Sequence, residues 1–122
     1  MDKYYVVSFS GGKDSTAMLL RLIELKCQID EVIFCDTYKE FPAMYNHIKK
    51  VRAFVESKGI KFTELKNEKN FDYFMFEHPV RHRNPETFRA KYGDSKGYSW
   101  ASVKTRWCTK HLKISVMGEY FK

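Results

Sequence analysis

The segment Ser8-Phe9-Ser10-Gly11-Gly12-Lys13-Asp14-Ser15 constrains the fold more than any other part of the chain. It follows a β-branched and aromatic run, Tyr4, Tyr5, Val6 and Val7, that reads with Ser8 and Phe9 as a buried strand over residues 4–9. It precedes residues 16–26, a leucine-rich stretch without Gly or Pro that reads as helix. Two consecutive glycines allow a tight turn and a close approach of backbone to ligand. A strand entering a helix through such a turn presents consecutive N–H groups at a helix N-terminus, which suits an anion. Ser8, Ser10 and Ser15 add hydroxyl donors, and Lys13 adds a positive charge. Asp14 or Ser15 is positioned to cap the helix. Asp14 would repel a bare phosphate unless it caps, binds water or holds a magnesium ion. The patterns GxxxxGK[ST] and GxGxxG are both absent, so the loop belongs to neither of those phosphate-binding types.

Downstream, Glu31, Val32, Ile33, Phe34, Cys35 and Asp36 read as a second strand ending in a carboxylate. Pro42 marks the start of a second helix. Met44, Tyr45, Ile48, Val51 and Val55 recur there at three- and four-residue spacing, and Gly59 ends it. Residues 60–65 read as a third strand. Strand–helix–strand–helix–strand with short links predicts a parallel α/β sheet with right-handed crossovers. The first strand is expected at or near a sheet edge, which invites cover from a second copy of the chain. Residues 71–76 read as helix or turn. Residues 78–100 read as a loop region with one short helix over residues 86–92, and a loop of that length is usually functional or mobile. Residues 106–121 read as a terminal helix, with Gly118 weakening its last turn. No repeat or linker interrupts residues 1–122, so a single domain is expected.

The net charge of +7 is uneven: residues 1–60 carry nine basic against eight acidic side chains, and residues 61–122 carry thirteen against seven. A basic second half suits anionic partners such as nucleotides or nucleic acid. Tyr98, Trp100 and Trp107 supply rings suited to base stacking. Arg81, His82 and Arg83 are candidates for a lid or a partner contact. No run of 18 apolar residues exists, and the N-terminal residues lack the apolar core of a signal peptide, so no membrane partner and a cytoplasmic location are expected. The spacing of Cys27, Cys35 and Cys108 matches no zinc or iron–sulfur pattern, and reduced thiols are expected. Cys35 reads as a small buried hydrophobe. Cys27 reads as structural. Cys108 lies among charged and aromatic neighbours that leave it more open to reaction.

The run from Ser10 to Ser15 resembles the signature of the PP-loop family, also called adenine nucleotide alpha hydrolases. Asp36-Thr37, then Glu40-Phe41-Pro42 and Tyr45, resemble the phosphoadenosine phosphosulfate reductase branch of it. So does Arg106-Trp107-Cys108-Thr109 with Lys110, Leu112 and Lys113. The resemblance covers most of the chain in matched order. It implies a three-layer α/β/α fold of the HUP type with a twisted parallel sheet, in truncated form. It implies that Ser8, Phe9, Ser10, Gly11, Gly12, Lys13, Asp14 and Ser15 hold the phosphates of an adenine nucleotide. Asp36 and Thr37 would lie by the nucleoside, and Arg106 and Lys110 would approach the phosphates. Lys13, Asp14, Arg106 and Lys110 are then the candidate catalytic residues, with Asp14 contacting magnesium through water.

Many members of this family cleave ATP between the alpha and beta phosphates and adenylate a second substrate. The reductase branch instead presents a nucleotide sulfonate to a cysteine thiolate in a Glu-Cys-Gly-Leu-His tail. The 122 residues contain no such run, and Cys108 has no paired cysteine, so no iron–sulfur cluster is expected. The leading expectation is an adenine-nucleotide-binding transferase or oxidoreductase acting as a homodimer. The alternatives are a non-catalytic nucleotide-binding or regulatory module, a sulfonucleotide reductase-like protein, and a nucleic-acid-binding protein.

Overall fold

The computed structural model describes residues 3–102 and 105–122. The chain divides into two compact units, Met1–Lys66 and Asn67–Lys122.

The first unit contains β1 (Val6–Ser8), α1 (Lys13–Glu24), β2 (Glu31–Asp36), α2 (Pro42–Ser57) and β3 (Lys61–Lys66). The strands form a parallel sheet in the order β1-β2-β3, with Val7 beside Val32 and Val32 beside Phe62. Parallel neighbours need a crossover, and α1 and α2 supply one each. Side chains alternate along a strand. Val32 and Phe34 therefore join Val7, Phe9 and Phe62 in one core with Leu19 of α1 and Ile48, Val51 and Val55 of α2. Burial of each such side chain contributes about 1.5–3 kcal/mol. β2 is buried at all six positions.

One of those six is the charged Glu31, which the hydropathy pattern does not flag as buried. Its carboxylate accepts hydrogen bonds from the Tyr4 hydroxyl at 2.9 Å and from the Thr63 hydroxyl. Lys61, its register partner on β3, stands 3.9 Å away. A buried carboxylate is tolerated only with partners of this kind.

Three local expectations change. Strand pairing starts at Val6, since the amide of Tyr5 bonds a side chain rather than the neighbouring strand. Its N–H donates to Asp30 Oδ2 at 2.6 Å, and its carbonyl accepts from the Asp30 and Glu31 amides. α1 starts at Lys13 rather than residue 16, and the N-cap is Gly12, without a side-chain cap. Asp14 and Ser15 are thus first-turn residues: Asp14 faces the positive end of the helix dipole, and the Ser15 hydroxyl donates back to Gly12 O at 3.2 Å. Cys27, expected to be structural, is exposed, whereas Cys35 is buried as expected.

The second unit contains a π-helical turn (Tyr73–Glu77), α3 (Pro85–Tyr92), α4 (Trp107–Thr109), a second π-helical turn (Lys110–Ile114) and α5 (Ser115–Tyr120). The last three follow one another without a break, which is the expected terminal helix with a widened turn inside it. Its core is Phe74, Met75, Trp107 and Leu112. The first π turn closes through His78 N–H to Tyr73 O at 2.8 Å. The amides of Gly97, Tyr98 and Ser99 donate to His78 O, Phe74 O and Met75 O at 2.8–2.9 Å. The expected loop over residues 78–100 is therefore pinned to this turn. Gly97, at φ +85°, is required for that approach, since a Cβ there would lie 2.2 Å from Met75 O. The Trp107 ring is 3% exposed and its indole N–H donates to Ser99 O at 3.0 Å. Trp107 is thus a core residue and offers no stacking face to a base. Among the described residues no helix is long and apolar enough to cross a membrane.

Candidate functional site

The glycine loop takes its shape from contact with α2. Gly11 has φ +88°, and a Cβ there would lie 2.9 Å from Met44 Sδ and 3.2 Å from Ile48 Cδ1. Only glycine meets both the conformation and the clearance. Phe9 precedes the turn with its ring 1% exposed, packed edge-on to Phe62 at 6.2 Å, and its amide bonded to Ile33 O. Its side chain is core, so it faces away from any ligand in the loop.

Thr16 N–H makes the first intrahelical bond, to Gly12 O at 3.0 Å. The amides of Lys13, Asp14 and Ser15 thus open the helix without an intrahelical acceptor. Ser10 Oγ and Ser15 Oγ lie 2.9 Å apart, and the Gly12 amide donates to Ser10 Oγ at 3.4 Å. Lys13 and Asp14 are exposed. Thr16 Oγ1 donates to Gly12 O at 2.7 Å and lies 3.0 Å from His47 Nε2, tying the loop to α2. Sequence reasoning missed Thr16 and His47. Their contact spans 31 residues, and neither position carries a motif.

A second cluster forms where β2 and β3 end. In the parallel register Asp36 and Lys66 are partners, and Lys66 Nζ lies 3.3 Å from Asp36 Oδ2. Asp36 Oδ1 accepts from the Tyr38 amide and from the Tyr45 hydroxyl, each at 2.8 Å. Burial, followed by the hydrogen bond to Asp36, pushes the Tyr45 hydroxyl up to about 12, so it stays protonated and remains a donor. The Thr37 hydroxyl donates to Glu40 Oε1 at 3.2 Å.

An open cavity of about 380 Å³ lies at this end of the sheet, lined by Phe34, Asp36, Tyr38, Tyr45, Ile48 and Lys66 among others. Ile48 also bounds Gly11, so loop and cavity share one wall of α2. Ligands of open α/β sheets bind in this crevice, beyond the carboxyl ends of the strands. Tyr38 and Lys66 escaped the sequence reading, although Lys66 is findable once the parallel register is set.

Residues 8–15 and 36–37 belong to the first unit. Arg106 and Lys110 belong to the second. Arg106 is the exposed residue before α4, and Lys110, also exposed, opens the second π turn. Cys108 between them is partly buried against the aromatic core.

Among the described residues no group of three or more His, Cys, Asp or Glu side chains is arranged to hold a metal. Asp14, the residue expected to contact magnesium through water, presents one exposed carboxylate at the start of α1. Beside nucleotides that ion is commonly held by one or two carboxylates, and phosphate oxygens and water complete the shell.

No curated protein matches the chain. The profile of the phosphoadenosine phosphosulfate reductase domain matches residues 4–114. The parallel sheet flanked by helices is accordingly the HUP-type α/β/α fold of the adenine nucleotide alpha hydrolases. By a match that spans nearly its whole length, the chain belongs to the phosphoadenosine phosphosulfate reductase domain family.

Proposed function

We propose that the chain binds an adenine nucleotide, with its phosphates on residues 10–15 and its nucleoside in the cavity beside Asp36. The observation that carries this reading is the shared wall: Ile48 bounds both the Gly11 turn and the cavity. Amides at the start of α1, the hydroxyls of Ser10 and Ser15, and Lys13 would grip the phosphates. Asp36 acts as a positioning residue. Its oxygens are engaged by Tyr38, Tyr45 and Lys66, which it holds around the cavity. Thr37 is held by Glu40 next to it. The family resemblance assigns Arg106 and Lys110, both in the second unit, to the phosphates as well.

In this reading the chemistry is cleavage between the alpha and beta phosphates, with a second substrate attacking the alpha phosphorus and pyrophosphate leaving. The chain stabilises the charge that develops on the phosphoryl oxygens through Lys13, Arg106 and Lys110 rather than supplying a nucleophile. Magnesium, when bound, neutralises phosphate charge, and Asp14 would hold its water shell. We further propose a cytoplasmic homodimer that pairs at the edge strand β1. A monomeric mass in light scattering across micromolar concentrations would exclude the dimer.

The test is a thermal-shift comparison of ATP, AMP, adenosine phosphosulfate and its 3′-phosphorylated form, with and without magnesium. At least one should raise the midpoint, and Ser10→Ala/Ser15→Ala should reduce the rise. Preference for ATP with magnesium supports adenylation, and preference for the 3′-phosphate supports the reductase branch. If no adenine nucleotide moves the midpoint, the proposal is wrong. Binding without pyrophosphate release from ATP and without reduction of either sulfonucleotide would make the chain a binding module.

A further inference from the structure

The second unit holds a cavity that the nucleotide reading leaves unused. It has a volume of about 510 Å³, and its lining includes the rings of His82, Phe88, Tyr92 and Tyr98, with Lys96 and Ser99. His82 stacks on Phe88 at 3.6 Å and 13°, and Phe88 meets Tyr92 at 5.0 Å. This aromatic wall is not spent on a core. Tyr92 is 54% exposed, and neither Phe88 nor His82 is fully buried.

The opposite side is rigid. Gly97, Tyr98 and Ser99 are locked by their amides onto the carbonyls of His78, Phe74 and Met75, in and just after the first π turn, and Gly97 has no room for a side chain. Ser99 is held at φ +63°, a conformation that non-glycine residues rarely adopt. The site is therefore formed before any ligand arrives. Its charge is one-sided. Residues 79–102 contain Arg81, Arg83, Arg89, Lys91 and Lys96 against only Glu86 and Asp94, and Arg89 lies 3.5 Å from Asp94.

A preformed cavity with exposed rings on one wall and surplus positive charge around it suits a planar ring that carries an anionic group. We infer that this cavity binds a nucleotide unit, with its base against Tyr92 and Phe88 and its phosphate toward Lys96. The unit is either part of a single strand or a free mononucleotide. Bases stack on aromatic side chains whatever their identity, and neighbouring cations take up the phosphates. The inference stands on the second unit alone and does not need the loop over residues 10–15.

The experiment titrates the full chain with fluorescein-labelled single-stranded decamers of RNA and DNA, and separately with GMP, CMP and UMP by calorimetry, adenine mononucleotides being left out because the loop over residues 10–15 would also take them. Binding is expected for at least one class, weakened about tenfold by Tyr92→Ala and several-fold by Lys96→Gln. Ser10→Ala/Ser15→Ala should leave it unchanged. Circular dichroism melts confirm that each variant is folded, and both second-unit positions are exposed. Decamer binding alone identifies a strand as the source, whereas equal mononucleotide binding identifies a small ligand. The inference is overturned if neither class binds, if both second-unit variants keep wild-type affinity, or if the loop variant abolishes binding.

Discussion

Gly11 and Gly12 are adjacent in sequence, yet alanine should be costly at the first and nearly neutral at the second. Gly11 sits at φ +88°, where an L residue costs about 1–2 kcal/mol. The new methyl would also meet Met44 Sδ at 2.9 Å and Ile48 at 3.2 Å. Both are side-chain atoms that can give way, so crowding adds about 1–2 kcal/mol, the lower part of the range for overpacked sites. Gly11→Ala should thus destabilise the first unit by about 2–4 kcal/mol. Gly12 has φ −77° and ψ 173°, which any residue adopts, and its methyl would come no closer than 3.6 Å to Ser10 Oγ. Alanine there reduces unfolded-chain entropy, worth about 0.4–1 kcal/mol, but gives up a good N-cap residue, worth about as much. The net change should be within about 0.5 kcal/mol of zero. The assay is urea unfolding followed by far-UV circular dichroism. Tryptophan fluorescence would not serve, because Trp100 and Trp107 both lie in the second unit. Equal midpoints for the two variants would refute this loop geometry.

The second unit offers the matching test: Gly97→Ala meets backbone at 2.2 Å, so it should lower the tryptophan-monitored midpoint more than Gly93→Ala, whose added Cβ meets nothing within 4 Å. At the end of β2, Tyr45→Phe removes one hydrogen bond to Asp36 and should cost about 1 kcal/mol, while Asp36→Ala takes the acceptor from both the Tyr38 amide and the Tyr45 hydroxyl and releases the half-exposed Lys66, and should cost about 2–3 kcal/mol, both read by urea unfolding. Burial, then the positive charges of His78 and Lys110, hold His111 below its ordinary value. Folding thus favours its neutral form, so stability is complete above about pH 6.5 and falls as pH drops through the lowered value. His111→Gln should flatten the stability profile between pH 7.5 and 5; an unchanged slope would remove His111 from the cause.

What could be read from the sequence depends on how far each signal reaches along the chain. The β1 turn, α2 with Pro42 and Gly59, and the apolar runs of β2 are local patterns, and each is found where residue spacing places it. The reason for Gly11 is half legible: two glycines announce a turn, but the pressure from Met44 and Ile48 comes from 33 and 37 residues away. Glu31 and Lys66 acquire their meaning only across the register, which pairs them with Lys61 and Asp36. A carboxylate at either end of β2 looks like an exposed strand terminus until its partner strand is aligned.

Residues 78–100 read as irregular for the same reason. Their amides serve carbonyls of a π turn some 20 residues earlier, and no periodicity encodes such a bond. Trp107 is the instructive error. Among Arg106, Cys108 and Lys110 it looks like a surface ring in a basic cluster, yet its indole N–H is taken by Ser99 O and its face by Phe71 at 4.6 Å. The basic residues around it are therefore displayed by a buried anchor. Trp107→Phe, which keeps one six-membered ring and loses both buried area and the bond to Ser99, should loosen the 97–99 segment and cost about 2 kcal/mol in urea. If the exposed Trp100 emission is unchanged in that variant, residues 97–100 are held by the π turn alone.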